Sequence, residues 1–336
     1  MQRLLMFLVI AALATPCMRG QNSSPHYQSG QVLTGTIRIW GNDRMEALMK
    51  YWQKGFRKHH GDVHFETNLK GTGTGIAGLY TGVADLALMG RAATSKEVQA
   101  FQWVFRYKPF AVEVATGSLN LPGNAFAISL IVHKDNPLSK LTLTQLDGIF
   151  GNEHRRGPRN IRTWGDLGLT GVWTNKPINT YGYEVQTRTS LFFKQVLFEG
   201  SDKWNCELKE FADLKQSDGS VSDAGKLILE ALAQDRYGIA FANLRYAAQV
   251  KPLALAAMDG GPYYQATKEN LIQRKYPLTR IASIYVNRAP GKPVDPTVKE
   301  FLRYILSYEG QQDILREGRY LPLSQQTILE QLKALE

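Results

Sequence analysis

The stretch over residues 70–91, KGTGTGIAGLYTGVADLALMGR, constrains the fold of this chain more than any other. It opens with alternating glycines and threonines, and Ile76, Leu79, Tyr80 and Val83 follow at the spacing of one helix face. The residues just before it, VHFETNL, alternate between apolar and polar side chains, which is typical of a strand. The pattern therefore predicts a strand, a tight turn and a helix in direct succession.

The turn itself is a candidate anion site. A turn of this kind directs the hydroxyl of Thr72 and the backbone N–H groups of Gly73 and Thr74 toward one point, at the positive end of the following helix. Glycine lets a ligand approach the backbone without meeting a Cβ atom. An ordinary glycine-rich turn is the alternative interpretation, and this stretch alone does not separate the two.

Length and charge set wider bounds. The chain has 336 residues, which is enough for two domains, and 43% of them are hydrophobic, so a sizeable core can be buried. The formal net charge is +10, but the basic residues are spread along the chain and no nucleic-acid motif is present. We expect no nucleic-acid partner, and the charge weakly favours an anionic ligand.

The first 20 residues have the features of a secretory signal peptide. Arg3 precedes the short apolar run LLMFLVIAALA, which is too short to span a membrane, and a polar stretch follows. We therefore expect a periplasmic or extracellular protein. A lipid anchor at Cys17 is not expected, because Pro16 is a poor fit for the small residue that lipid attachment requires. Removal of Cys17 leaves Cys206 as the remaining cysteine, so no intramolecular disulfide is expected.

The first half of the chain predicts a doubly wound α/β sheet. GTIRIWG reads as a strand, a helical pattern follows it, and VADLALM reads as a buried parallel strand after the glycine-threonine turn. In such a sheet, ligands bind outside the carboxyl ends of the strands. The residues predicted to lie at these ends are Asn42, Asp43, Thr72, Gly73 and Arg91.

The second half repeats this design and predicts a second lobe. PINTYGY reads as a strand that leads through the polar turn EVQTRT into a helix, SLFFKQVLF. Long strands near residues 125–133 and 277–287 enclose this unit, which suggests two crossings between two lobes and a cleft lined by turns from both. The predicted divisions are a signal peptide at 1–20, a first lobe at 31–130 and 275–336, a second lobe at 131–274, and hinge strands near 126–133 and 281–286.

Enzymatic and metal-binding interpretations fit less well. Gly73, Gly75 and Gly78 match a dinucleotide fingerprint, but the following strand lacks its acidic residue and ends in Gly90 and Arg91. His59, His60 and His64 could form a metal cluster, although the basic helix end FRKHHG favours a solvated surface. Neither a nucleophile elbow nor a catalytic cysteine setting is present. We expect no enzyme activity, metal or cofactor, with a secreted dinucleotide-dependent enzyme as the alternative.

Several segments together resemble the phosphate-binding proteins of bacterial ABC importers. The segments that carry this resemblance are GTGTGIAGLYTGVADLAL, LTLTQLDGIFGN, YGIAFANLRYA, YPLTRIASIYVN and FLRYILSYEGQQDILREGRYLPL. They cover most of the mature chain in the family's order. The resemblance implies a class II periplasmic-binding-protein fold, capture of an oxyanion, usually phosphate, between two lobes, delivery to an ABC permease, and a monomeric state. A diverged site that binds or senses another anion is the alternative.

In the first lobe, the resemblance implies a modified anion site. Thr72 stands where the family has an anion-binding serine, so its hydroxyl is retained. Asp43 falls where a threonine usually binds the anion, and Gly90 and Arg91 stand where the family has a Ser-Arg or aspartate-bearing turn. A carboxylate at position 43 repels an anion, but it could accept the proton of a monohydrogen oxyanion and so favour phosphate over sulfate.

In the second lobe, the family has an arginine and then a Ser-Gly-Thr loop. Tyr183 replaces the arginine, and Thr187, Arg188 and Thr189 replace the loop. We therefore hypothesise that Arg188 takes over the role of the lost arginine. The alternative is that Arg188 points to solvent and Arg91 pairs with Asp43 or another carboxylate. The complete predicted ligand-binding set is Asn42, Asp43, Thr72, Gly73, Thr74, Arg91, Tyr183, Thr187, Arg188 and Thr189.

Overall fold

The chain forms two main β-sheets, each covered by helices and each with its own hydrophobic core. The computed structural model describes residues 24–117, 127–157, 159–243 and 250–336. The predicted signal peptide, Cys17 and the first residue of the predicted hinge at 126–133 lie outside the described residues. Within them, no helix is both long enough and apolar enough to cross a membrane.

The strands and helices are numbered along the chain. The strands are β1 (Gly35–Gly41), β2 (Val63–Asn68), β3 (Leu86–Met89), β4 (Phe110–Gly117), β5 (Ser129–His133), β6 (Lys140–Thr142), β7 (Asn179–Tyr183), β8 (Lys209–Phe211), β9 (Leu214–Lys215), β10 (Val221–Ser222), β11 (Gly238–Ala242), β12 (Val250–Pro252), β13 (Ala254–Ala256), β14 (Ile281–Val286) and β15 (Tyr320–Leu321). The α-helices are α1 (Glu46–Phe56), α2 (Gly73–Tyr80), α3 (Ser95–Phe105), α4 (Leu143–Phe150), α5 (Arg188–Leu197), α6 (Ala224–Ala233), α7 (Lys268–Ile272), α8 (Pro296–Leu306), α9 (Tyr308–Glu317) and α10 (Gln325–Leu335). Short 3₁₀ helices cover Asp43–Met45, Trp164–Leu167 and Gly171–Trp173.

The sheet of the first lobe has the strand order β15-β4-β14-β3-β1-β2. β1 pairs in parallel with β2 and β3, whereas β14 pairs antiparallel with both β3 and β4. The carboxyl ends of β1 and β3 therefore meet the amino end of β14 at one edge of the sheet. All four residues of β3 are buried, as expected for a strand with helices on both faces.

Helix α1 has the predicted amphipathic pattern. Leu48, Met49, Trp52 and Phe56 are all fully buried, so the apolar face of α1 faces the core. The indole Nε1 of Trp52 also donates to the carbonyl of Gly310 in α9 at 2.9 Å. This bond ties the first helix of the chain to a helix from its carboxyl-terminal part, so both ends of the chain build the first lobe.

The sheet of the second lobe has the order β12-β5-β11-β7-β8, in which β11, β7 and β8 run parallel. Phe193 from α5 stacks on Phe241 from β11, with ring centroids 4.3 Å apart and planes 10° apart. Gly182 in β7 leaves room for this stack, because a Cβ atom there would lie 2.0 Å from the Phe241 ring. The predicted two-lobed α/β fold is confirmed, with antiparallel strands added to both sheets.

The chain crosses between the lobes before β5 and again before β14. The hydroxyl of Tyr276, which is buried, donates to the carbonyl of Ile128 at 3.0 Å and so joins the two crossings. Arg274 forms an ion pair with Glu113 of β4, which anchors the returning segment on the first sheet. Of the two predicted hinge strands, β5 itself belongs to the second sheet and β14 to the first.

Candidate functional site

A cleft of about 570 Å³ opens between the two lobes and is lined by residues from both. The residues of the first lobe that line it include Asn42, Arg44, Thr72, Gly90, Gly117, Arg280 and Tyr320. Those of the second lobe include Tyr183, Glu184, Thr187, Arg188, Thr189, Phe211, Asp213, Asp223 and Asn243. Six of the ten residues predicted from sequence are brought together here; Asp43, Gly73, Thr74 and Arg91 are not among the lining residues.

The glycine-threonine turn holds the amino end of α2 against this cleft. Gly71 adopts a φ of 117°, which favours glycine, and its N–H donates to the carbonyl of Gly41 at 2.9 Å. The side chain of Thr72 makes no capping bond to its own helix, while the hydroxyl of Thr74 donates to the carbonyl of Gly71 at 2.9 Å. The Thr72 side chain is therefore not engaged in capping and lies at the cleft, at the positive end of α2.

Close packing explains why Gly75 and Gly78 are glycines. A Cβ atom at Gly75 would lie 3.0 Å from the sulfur of Met89, and one at Gly78 would lie 2.9 Å from the Cβ of Ala84. Both glycines let α2 pack closely on its own sheet. A Cβ at Gly73, in contrast, would meet no atom within 4 Å. In the apparent dinucleotide fingerprint, Gly75 and Gly78 are therefore required by close packing, whereas Gly73 lies at an open helix end.

Asn42 and Gly90 fit each other at the ends of β1 and β3. A Cβ atom at Gly90 would lie 2.3 Å from Nδ2 of Asn42, so the asparagine amide occupies the space that a side chain at position 90 would need. Oδ1 of Asn42 accepts from the N–H of Arg44 at 3.1 Å and fixes the amide in place. This fit gives a physical reason for a glycine at position 90.

Arg91 is held by a carboxylate of α3. Its Nη1 and Nη2 donate to the two carboxylate oxygens of Glu97 at 2.7 and 2.8 Å, and Arg91 is only 7% exposed. Burial alone would raise the pKa of Glu97, but the bonds from Arg91 and from the backbone of Thr94 hold that pKa below its ordinary value. Arg91 thus pairs with a carboxylate, as the alternative interpretation foresaw, and the partner is Glu97.

The second-lobe turn is built around the amino end of α5. The hydroxyl of Thr187 accepts from the N–H of Ser190 at 3.2 Å and caps the helix. Thr189 is buried to 9% exposure, whereas the side chain of Arg188 is 48% exposed. Both turns therefore place a helix amino end at the cleft, one from each lobe, and each can donate hydrogen bonds to an anion.

Arg188 and Asp43 form an ion pair across the cleft. Nη1 of Arg188 donates to Oδ1 of Asp43 at 3.2 Å, and both side chains are about half exposed. The pair joins the amino end of α5 in the second lobe to the end of β1 in the first. An exposed pair of this kind stabilises by about 0–1 kcal/mol, so a stronger anionic ligand can compete for the guanidinium.

Tyr183 is engaged within the second lobe. Its hydroxyl lies 3.2 Å from Nδ2 of Asn243, which donates to it, and the tyrosine is 7% exposed. Gly225 at the start of α6 leaves room for this hydroxyl, since a Cβ there would lie 2.7 Å from it. Tyr183 therefore forms part of a buried network at the wall of the cleft.

Sequence reasoning missed several residues that line the cleft. Arg280 and Tyr320 come from the carboxyl-terminal part of the first lobe, and Asp213 and Asp223 flank the β9–β10 hairpin of the second. Arg280 stands in the segment YPLTRIASIYVN, which the sequence analysis used for its strand pattern and for the family resemblance, without assigning the arginine a role. Only the topology of the sheet indicates that Arg280 belongs to the cleft. Arg280 immediately precedes β14, and the amino end of β14 lies at the ligand edge of the sheet.

One surface prediction was wrong. His60 is 3% exposed rather than solvated, and its Nε2 lies 2.7 Å from the hydroxyl of Tyr27. Burial lowers the pKa of His60 below its ordinary value. The cause is the amino-terminal segment around Tyr27, which packs over the end of α1 and covers this histidine. Across the described ranges, no cluster of three or more histidine, cysteine or acidic side chains is arranged to hold a metal ion.

The protein has two α/β lobes with a polar cleft between them, and each lobe places the amino end of a helix at the cleft. This arrangement is that of a two-lobed solute-binding protein. A family model described as a PBP superfamily domain matches residues 27–309. The chain is 33% identical over 314 residues to the phosphate-binding protein PstS of Pseudomonas aeruginosa, covering 93% of this chain and 90% of that protein. The chain belongs to the PBP superfamily, in the family of that phosphate-binding protein.

Solved structures show the same fold. PstS from Borrelia burgdorferi aligns with a TM-score of 0.60 at 19% identity and covers 86% of this chain and 99% of its own. An ABC-type phosphate transport receptor from Vibrio cholerae aligns with a TM-score of 0.55, also at 19% identity, over 85% of this chain and 99% of its own. At this level of identity these two structures support the fold and not the details of the site.

Proposed function

We propose that this chain is an extracytoplasmic solute-binding protein that captures an oxyanion, inorganic phosphate, and delivers it to an ABC importer. The observation that carries the proposal is the cleft itself, where the amino ends of α2 and α5 meet from opposite lobes and several guanidinium groups line the walls. Helix amino ends and arginines are the protein groups that best stabilise a desolvated oxyanion. The name of the Pseudomonas aeruginosa relative supports phosphate as the ligand.

The proposed ligand-binding residues follow the two turns. Thr72 and the N–H group of Gly73 would bind the anion from the first lobe, and Thr187, Arg188 and Thr189 would bind it from the second. The N–H group of Thr74 donates to the carbonyl of Gly71 at 3.0 Å, so Thr74 would act by holding the turn. Asn42 and Tyr183 would shape the cleft between them. Asp43 would act through its pair with Arg188, and Arg91 would support the end of β3 through its pair with Glu97, which offsets its charge.

The cellular setting is proposed on the same grounds. Residues 1–20 would direct secretion to the periplasm or the outside of the cell, and the mature chain would act as a monomer with a permease as its partner. The first lobe would comprise residues 31–130 and 275–336, and the second lobe residues 131–274. The strands of the two main sheets fall at 35–117 with 281–321 and at 129–252, which supports two lobes with the first built from two segments; β5 begins at Ser129, two residues before the proposed start of the second lobe.

A titration with a panel of ligands tests the function. We expect the purified mature protein to bind phosphate with a saturable heat at one site per chain, and to bind sulfate and molybdate more weakly. Preference for another oxyanion would move the protein to the alternative of a diverged anion-binding or sensing protein. Heat and saturation with a nicotinamide dinucleotide, in the absence of any response to oxyanions, would contradict the binding-protein function and favour an enzyme.

A further inference from the structure

Arg280 is a cleft residue that has no counter-ion among the described residues. It lines the cleft, yet its Nε is buried and finds no hydrogen-bond partner within the described ranges. In the part of the chain that the structure describes, its guanidinium forms neither a hydrogen bond nor an ion pair. A buried donor that lacks an acceptor costs free energy, so this side chain is suited to a ligand that supplies one.

Arg91 and Arg188, two other arginines near the cleft, differ from Arg280 in this respect. Arg91 is held by both oxygens of Glu97, and Arg188 is paired with Asp43. An anion that binds to either of them must compete with a carboxylate of the protein. An anion that binds Arg280 meets no such competition among the described residues, and it satisfies a charge that the fold leaves uncompensated.

The backbone places Arg280 at the ligand edge of the first sheet. Its carbonyl accepts from the N–H of Gly117 at 2.9 Å, and the next residue, Ile281, begins β14. Because β14 runs antiparallel to β3, Arg280 lies at the end where β3 delivers Gly90 to the cleft. The arginine therefore shares its edge with the glycine-threonine turn and Asn42.

The side chain of Arg280 reaches the second lobe. Its guanidinium carbon lies 5.3 Å from the centre of the Phe192 ring in α5, whose amino end carries Arg188. Stacking of this kind holds a guanidinium in a fixed plane and leaves its edge available for hydrogen bonds. Arg280 thus contacts both lobes at the point where they meet around a ligand.

The electrostatic surroundings of Arg280 favour the binding of an anion. Burial lowers the pKa of Arg280 to about 10; Tyr320 acts to raise it, whereas the positive charges of Arg44, Arg91 and Arg188 lower it further. The guanidinium remains charged at neutral pH, among other positive charges. A bound oxyanion would remove this repulsion and restore the ordinary preference for the charged form.

We propose that Arg280 is the principal charged anchor of the bound oxyanion, supplied by the segment that returns from the second lobe to the first. The inference rests on the proposed oxyanion-binding function and adds to it a charged residue of the first lobe that faces Arg188 of the second. The planar guanidinium donates two parallel hydrogen bonds to a tetrahedral oxyanion. Its contact with Phe192 makes this anchoring strongest when the lobes are closed.

Calorimetric titration of Arg280→Met with phosphate tests the anchor, because methionine keeps an apolar stem against Phe192 and removes the charge. The expected result is an affinity about 10- to 100-fold weaker than that of the parent protein. Arg280→Lys should recover part of the loss, since it keeps the charge without the fork. Arg236→Met is the matched control: Arg236 also stacks on an aromatic ring, at 5.1 Å from the centre of Trp173, and does not line the cleft.

The outcomes separate this inference from the function on which it rests. Parent-like phosphate binding by Arg280→Met would overturn the inference and leave the function standing, whereas a parent protein that binds no phosphate would overturn both. If Arg280→Met does not fold, the side-chain ¹⁵N–¹H resonance of Arg280 in the parent protein decides, after assignment by its absence in Arg280→Lys. A shift on saturation with phosphate supports the inference, and an unchanged resonance overturns it.

Discussion

Replacement of Gly41 by alanine is expected to destabilise the first lobe by about 3–5 kcal/mol, because a steric overlap and a strained backbone act together. Gly41 adopts a φ of 137°, and a Cβ atom there would lie 2.1 Å from the carbonyl oxygen of Leu88. The same glycine accepts the N–H of Gly71, so its displacement would also move the glycine-threonine turn. Thermal unfolding should show a midpoint lowered by several degrees or more.

Gly61→Ala provides the matched control for Gly41→Ala. Gly61 has an ordinary φ, and a Cβ atom there would meet nothing within 4 Å. We expect its unfolding temperature and its phosphate affinity to stay close to those of the parent protein. If Gly41→Ala unfolded at the parent temperature, the junction of β1, β3 and the turn would be more adaptable than the geometry indicates, and the account of this junction would be wrong.

Arg188→Ala should weaken phosphate binding on the order of tenfold or more. A hydrogen bond to a charged group contributes about 1.5–3 kcal/mol, and the substitution also leaves the carboxylate of Asp43 without this partner. The unpaired carboxylate would then repel the incoming anion. Arg188→Lys should recover only part of the affinity, since an ammonium group lacks the planar fork. Calorimetry on the purified variants measures both effects.

Asp43→Asn tests the same ion pair from its other side. This variant keeps Arg188 and removes the carboxylate that competes with the ligand, so phosphate affinity should rise. Opposite signs for the two substitutions would support competition between Asp43 and the anion for one guanidinium. If Arg188→Ala binds phosphate as well as the parent protein does, Arg188 serves only the ion pair. The hypothesis that Arg188 takes over the role of the family's arginine would then be wrong.

Local sequence patterns predicted much of the fold because they report short-range hydrogen bonds and burial. The Thr142–Gln145 capping box and the Asp295–Pro296 helix start are local patterns of this kind, and the structure contains both. For α2, the apolar spacing predicted a helix that continued to Val83, which is too long. The helix ends at Tyr80 because Gly82 adopts a φ of 74°, and Val83 beyond it is 41% exposed rather than part of the buried face.

The segment between the third and fifth strands was not assigned from the sequence. It contains α3, which begins with a Thr94–Glu97 capping box, and β4, which lies inside the first sheet between β14 and β15. The alternation of buried Val112 and Val114 was a readable signal for a strand. The partners of β4 come from the far end of the chain, however, and pairing over that separation has no local signature in one sequence.

The candidate site, like the fold, has some features that the sequence could predict and others that it could not. Its general position could be predicted, since the ends of neighbouring parallel strands and the helices that follow them must share one edge. The ion pairs could not be predicted, because they depend on how the helices and strands pack in three dimensions. These pairs are Arg91 with Glu97 and Arg188 with Asp43. The place of Arg280 at the cleft could not be predicted either, because it follows from the antiparallel pairing of β14 with β3 and β4, strands that lie far away in the sequence.

Small-angle scattering of the mature protein, with and without saturating phosphate, tests most directly the claim that both lobes hold the anion. The full set of interactions is available only when the lobes meet, so ligand should favour the closed state. We expect the radius of gyration and the maximum dimension to fall on addition of phosphate. An unchanged scattering profile, at a phosphate concentration that calorimetry shows to be saturating, would contradict capture between the lobes.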